Sequence, residues 1–190
     1  FMIRKGCGCL LFFPLIICVL FALFFLTFKS PNNFSDYKKE YLDETLELAQ
    51  STADRFGLFT SVVLAQSALE SDYGRSLLSL EYNNYFGIKA RSNEDSVVLK
   101  TNEVINGQTT SVNEAFKKYL SKSDSFNHYG KLISQSKRYK KVKEARDFRE
   151  ASQYLQDAGY ATDNHYAEKI IAIVEKYHLG QFDRPNFWED

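Results

Sequence analysis

The stretch TSVVLAQSALESDYG, residues 60–74, places one glutamate, Glu70, near the end of a segment otherwise apolar or small. Thr60 or Ser61 is a helix start and Gly74 a helix stop. Val62, Ala65, Leu69 and Tyr73 make one stripe of that helix, and Leu64 and Ala68 lie on another side. A helix apolar on most of its surface is a buried central helix, so the fold is expected to assemble around this one.

Glu70 shares a face of this helix with Val63 and Gln66. It stands at the C-terminal end, where the helix dipole disfavours a carboxylate, and partial burial disfavours the ionised form as well. A carboxyl held neutral this way can protonate a leaving oxygen at neutral pH. The other reading is a structural ion pair with Lys89 or Arg75, which also perturbs a pKa. The local residues leave both open.

On the N-terminal side, Ser35 is read as the cap of a helix starting at Asp36. Tyr37, Tyr41, Leu48, Ala49 and Phe56 keep helical spacing, and Gly57 ends it. On the C-terminal side, SLLSLEYNNYFGIKA and RSNEDS read as a loop-rich stretch. VVLKTNEVINGQTTSV then carries β-branched runs around Asn106-Gly107, a strong hairpin signal, with strands expected over Val97–Ile105 and Gln108–Val112. Helices follow over 124–135 with Ser123 as cap, 148–158 with Asp147, and 164–178 with Thr162 or Asp163, closed by Gly180. The fold class is α+β, mostly α: a helical domain with one inserted hairpin.

Residues 10–28 contain no charge and are long enough to cross a bilayer as a helix. Arg4 and Lys5 precede them, and positive charge favours the cytoplasmic side. With no small-residue cleavage site after the run, the expectation is an uncleaved anchor. The domains expected are a cytoplasmic stretch 1–9, an anchor 10–28, a linker 29–35, a catalytic domain 36–182 and a tail 183–190. All three cysteines, Cys7, Cys9 and Cys18, fall in or before the anchor, so the outer domain is held by its core and not by disulfides. Leaving out Arg4 and Lys5, that part has 22 basic and 24 acidic residues, which predicts no nucleic-acid partner.

Other chemistry has little support. His128, His165 and His178 lack metal-ligand spacing, and no Gly-rich phosphate loop or G-x-S-x-G elbow is present, so no cofactor and no metal are expected. Glu103, on the first hairpin strand, reads by itself as a surface glutamate. Its interest depends on Glu70, because glycoside hydrolysis uses two carboxyls flanking the bond. Tyr160 and Tyr166, in GYATDNHYAEK, read either as sugar-stacking aromatics or as core residues. The segment NNYFGIKA, residues 83–90, reads as a cleft wall or a packed loop.

Five blocks in order, AQSALESDYGRS, YNNYFGIKA, KTNEVINGQ, FKKYLSKSDSF and AGYATDNHYAEKI, resemble the bacterial glucosaminidase-type peptidoglycan hydrolases, a family that includes autolysin glucosaminidases and the flagellar-rod hydrolase domain. The resemblance covers about residues 45–180. It implies a lysozyme-like helical fold with a β-lobe and cleavage of peptidoglycan glycan strands after N-acetylglucosamine. It also implies that Glu70 is the general acid, Glu103 the second carboxylate and Tyr160 an active-site residue. Asn84 and Phe86 become subsite residues, and Tyr166 joins them as a substrate-binding candidate. Many members read ESGWG where this chain reads ESDYG. Tyr73 then replaces a sugar-stacking Trp, and Asp72 adds an acid that would make Glu70 harder to ionise if both faced the cleft.

The retaining, inverting and substrate-assisted mechanisms stay open at this point. So do a lytic transglycosylase or muramidase on the same fold, and a non-catalytic wall-binding module with a membrane-protein partner. The implied location is the cell membrane, single-pass, with the catalytic domain on the wall side.

Overall fold

Nine of the first ten residues of Thr60–Glu70 are buried, Thr60 through Ala68. The structure is a computed structural model that describes residues 36–105 and 108–183. The order is α1 (Tyr37–Phe56), α2 (Thr60–Glu70), α3 (Leu77–Tyr82), β1 (Ser96–Ile105), β2 (Gln108–Lys117), α4 (Lys122–Gln135), a 3-10 turn (Lys137–Tyr139), α5 (Lys140–Lys143), α6 (Phe148–Asp157), α7 (Tyr166–Lys176) and a last 3-10 turn (Leu179–Phe182). The described residues from Tyr37 onward belong to one compact unit.

The central α2 packs against α1, α6, α7 and the last 3-10 turn. Val63, Leu64, Ala65 and Ala68 are at most 1% exposed. Each large apolar side chain so buried contributes roughly 1.5–3 kcal/mol. The N-terminus of α2 has no cap of its own, since Phe59 occupies that position. Asp183 supplies one from 122 positions away: Ser61 donates its backbone N–H to Oδ1 at 2.8 Å and its hydroxyl to Oδ2 at 2.6 Å. Asp183, assigned from sequence to the tail, is therefore tied to the first turn of the core helix.

Several expectations need correction. The loop-rich stretch contains α3, capped by Ser76, whose hydroxyl accepts from Ser79 N–H. The α4 helix starts at Lys122 with Ser121, not Ser123, as cap, because Ser121 also hydrogen-bonds the Asp124 carboxylate at 2.7 Å. Asp147 caps α6 as expected, accepting from Arg149 and Glu150 N–H. The α7 helix begins later than expected, after His165, and closes at a left-handed His178, with Gly180 inside the final 3-10 turn.

The hairpin pairs ten residues on each side, from Ser96↔Lys117 to Ile105↔Gln108. Its second strand therefore runs five residues beyond Val112. The base is tied to the 88–90 segment: Ala90 N–H donates to Ala115 O at 2.8 Å and Lys117 N–H to Ile88 O at 2.9 Å. The expected turn Asn106-Gly107 and the expected anchor 10–28 lie outside the described residues. Among the described residues no helix is long and apolar enough to cross a membrane.

Candidate active site

Glu70 is the last residue of α2, so the buried helix delivers it to the surface end of the core. It faces a cleft of about 650 Å³ whose walls come mainly from four places, with Leu78 and Arg138 completing them. Leu69 and Glu70 come from the end of α2, Phe86, Gly87 and Lys89 from the loop, and Thr101 and Phe116 from the hairpin. Tyr160, Tyr166 and Lys169 come from α7 and the turn before it. The two blocks that meet at Glu70 are thus 96 positions apart: Tyr166 Oη donates to Glu70 Oε1 at 2.6 Å.

The other carboxylate oxygen, Oε2, lies against Gly87. A Cβ built there would stand 3.2 Å from it, and Gly87 has φ +62°, so glycine suits the position on both counts. Burial raises the Glu70 pKa from 4.5 to about 7, and the Tyr166 hydrogen bond works the other way by favouring the ionised form. The structural alternative from the sequence does not describe this site. Lys89 pairs with Glu114 at 3.3 Å, and the Arg75 guanidinium lies 4.3 Å over the Tyr37 ring.

Asp72 does not join Glu70. It is exposed, in a left-handed conformation with φ 49°, and its neighbour Tyr73 has φ 54°. The left-handed turn carries both side chains away from the acid. Tyr73 sits edge-on to Tyr37 and Tyr41, each at 6.1 Å, and is not among the residues lining this cleft.

Asn84 likewise is not among the residues lining this cleft. It is fully buried and its amide is used on backbone: Nδ2 donates to Ile88 O at 2.9 Å and Lys117 O at 2.8 Å, and Oδ1 accepts from Ile88 N–H at 3.1 Å. A buried loop must satisfy its backbone groups, and Asn84 does so for the segment that carries Gly87. Phe86 lies at the cleft but is only 1% exposed, stacked on Tyr129 with centroids 4.0 Å apart.

Tyr160 lines the cleft and donates to the Phe86 carbonyl at 2.9 Å. Its ring stacks on Tyr166 at 5.7 Å. Burial pushes both phenols well above their ordinary value, so at neutral pH they are O–H donors. Arg138, which the sequence reading passed over, donates from its guanidinium to the carbonyls of Ala158 and Gly159 and so holds the turn that presents Tyr160. No spacing signal in the sequence connects Arg138 with that turn.

Glu103 lies in β1 opposite Thr110. It is two positions beyond Thr101, a cleft-wall residue.

Comparison with known proteins identifies the family. Residues 46–179 match the glucosaminidase family, described as mannosyl-glycoprotein endo-beta-N-acetylglucosaminidase. Exo-glucosaminidase LytG of Bacillus subtilis (strain 168) is 36% identical over 156 residues, covering 80% of this chain and 55% of that protein. Peptidoglycan hydrolase FlgJ of Escherichia coli (strain K12) is 34% identical over 156 residues, covering 77% and 50%. The chain spans about half the length of these curated relatives. The crystal structure of the catalytic domain of the autolysin Auto from Listeria monocytogenes superimposes with a TM-score of 0.67 at 29% identity, covering 94% of this chain and all of that one. The match over residues 46–179, with the relatives and the fold shared with them, places the chain in the glucosaminidase family of glycoside hydrolases.

Proposed function

We propose that this domain hydrolyses the glycan strand of peptidoglycan at β-1,4 linkages of N-acetylglucosamine, with Glu70 as general acid. The observation that carries the reading is Glu70 itself, a cleft carboxyl whose pKa is raised to about 7 and whose Oε1 is held by Tyr166. Relatives matched over this domain are named for this chemistry or this polymer.

In the proposed step Glu70 gives its proton to the glycosidic oxygen as the C1–O bond breaks. Positive charge develops on the sugar ring, and water supplies the new hydroxyl at C1. Glu103 is assigned the second carboxylate, accepting the proton of that water. Its place in β1, two positions beyond the cleft-wall residue Thr101, supports the assignment. Tyr160 offers a ring face to the sugar and supports the Phe86–Gly87 backbone beneath Glu70. Residues 10–28 are assigned as the membrane anchor on their length and lack of charge, which would keep the domain at the membrane on its wall side.

The test is mass spectrometry of the reducing ends released from purified peptidoglycan strands. Wild type should release N-acetylglucosamine ends, and Glu70→Gln should be slowed by about 10²–10⁴-fold. A folded Glu70→Gln protein with normal turnover would reject Glu70 as the acid. Anhydro-muramyl ends would reject hydrolysis in favour of transglycosylation.

A further inference from the structure

The hydrogen bonding of Glu70 does not stop at Tyr166. Gln66, fully buried and one turn earlier on α2, donates from Nε2 to Tyr166 Oη at 2.8 Å. Its Oε1 in turn accepts from the hydroxyl of Tyr129 on α4, which is 1% exposed. Side chains from α4, α2 and α7 thus make one line of donors, Tyr129 to Gln66 to Tyr166 to Glu70, every step aimed at the acid.

Such a line has two polarities. With the Gln66 amide turned over, Nε2 would donate to Tyr129 and Oε1 would accept from Tyr166. Tyr166 could then only accept from Glu70, which would have to carry its proton on Oε1. That proton would point into the protein and not toward a substrate. Tyr129 decides between the two. Its ring is stacked on Phe86 and edge-on to Tyr160, which holds the hydroxyl in place at Gln66. In the turned-over arrangement the Tyr129 O–H would give up the acceptor it has in Gln66, and a buried donor without an acceptor is costly.

We infer that Tyr129 and Gln66 are positioning residues that hold the line in one polarity, so that Glu70 carries its proton only on Oε2, the oxygen beside Gly87. Neither need touch a sugar. Their effect is that the proton stays on the oxygen away from Tyr166, and that the carboxylate left after transfer meets a donor already in place.

The inference rests on the reading of Glu70 as the acid, and the test separates the two. Tyr129→Phe in the full chain keeps the ring and removes the O–H. Gln66 is then free to turn over, and protonated Glu70 gains a second, unproductive form. The kcat for soluble peptidoglycan strands should fall about tenfold, and the alkaline limb of the profile should move up by about half to one pH unit, the shift that goes with a hydrogen bond's worth of bias toward the protonated form. A lower kcat with an unmoved limb would mean Tyr129 only packs, and overturns the inference. An unchanged enzyme overturns it as well. A second measurement needs no variant. The Gln66 side-chain amide protons of wild type, followed by NMR across pH 5–9, should keep their assignment as Glu70 titrates, and an exchange of the two resonances would overturn it. If Glu70→Gln is itself fully active, the acid assignment has failed, a different result from an inert Tyr129→Phe.

Discussion

Tyr166 Oη stands 2.6 Å from Glu70 Oε1 and joins the end of α2 to the start of α7 at the cleft. Burial dominates over this bond, so the carboxyl ionises near pH 7 in the folded protein and near 4.5 when unfolded. The folded state holds the proton more tightly. Below pH 4.5 both states are protonated and nothing is lost. As pH rises from 4.5 through 7 the folded state loses up to about 3 kcal/mol. Glu70→Gln removes this loss. Urea unfolding should show the variant more stable than wild type at pH 8, with the two equal near pH 4.

Wild-type activity should follow the same ionisation. The free enzyme loses its acid as pH rises through about 7, so kcat/KM falls tenfold per unit above that point. Asp72 is exposed, in a left-handed turn that leads away from Glu70, so Asp72→Asn should leave the limb where it is. A limb shifted downward in Asp72→Asn would show that its charge does act on the acid.

Gly87→Ala should separate chemistry from stability. The new Cβ would stand 3.2 Å from Glu70 Oε2 and would require a side chain at φ +62°. The backbone cost is about 1–2 kcal/mol. The displaced carboxyl should lower kcat about tenfold or more, while KM changes little. Steady-state kinetics beside a thermal melt would read both.

Asp183→Ala should weaken the fold without touching the chemistry. It removes both acceptors of Ser61 at the first turn of α2. A lost N-cap costs about 0.5–2 kcal/mol, and here a buried N–H is left over as well. The urea midpoint should drop, with turnover per folded molecule unchanged.

Gly130→Ala runs against helix propensity. Alanine is better than glycine inside a helix by about 1 kcal/mol. Gly130, however, lies in α4 under the Phe56 ring, and a Cβ there would stand 2.1 Å from Cδ2. Overpacking costs typically about 1–3 kcal/mol, so the variant should melt lower than wild type.

Much of the fold was readable from local pattern. The apolar run of α2, the Asp147 cap and the paired β-branched runs each carry their signal within a few residues. The short α3 did not, because six residues with two exposed leucines, Leu77 and Leu80, look like loop. The full length of β2 did not either, since Asn113, Glu114 and Lys117 read as polar. Three serines at positions 121, 123 and 125 offer the same cap chemistry, and only Asp124 closing on Ser121 selects among them.

The sequence by itself determined that a carboxyl would end a buried helix, and its ordered blocks pointed to the family. Burial against a helix dipole is a local property, and it opened the reading of a neutral Glu70 beside that of an ion pair. What the tertiary structure decided was the company that carboxyl keeps. Tyr166, 96 positions away, took the place that Lys89 or Arg75 was open to fill, because packing α7 on α2 brings a phenol to Oε1. Asn84 was turned inward by the backbone groups of its own loop, and Asp72 outward by two left-handed residues. Such partners are set by where helices cross and where chains turn, and no spacing within one segment encodes them.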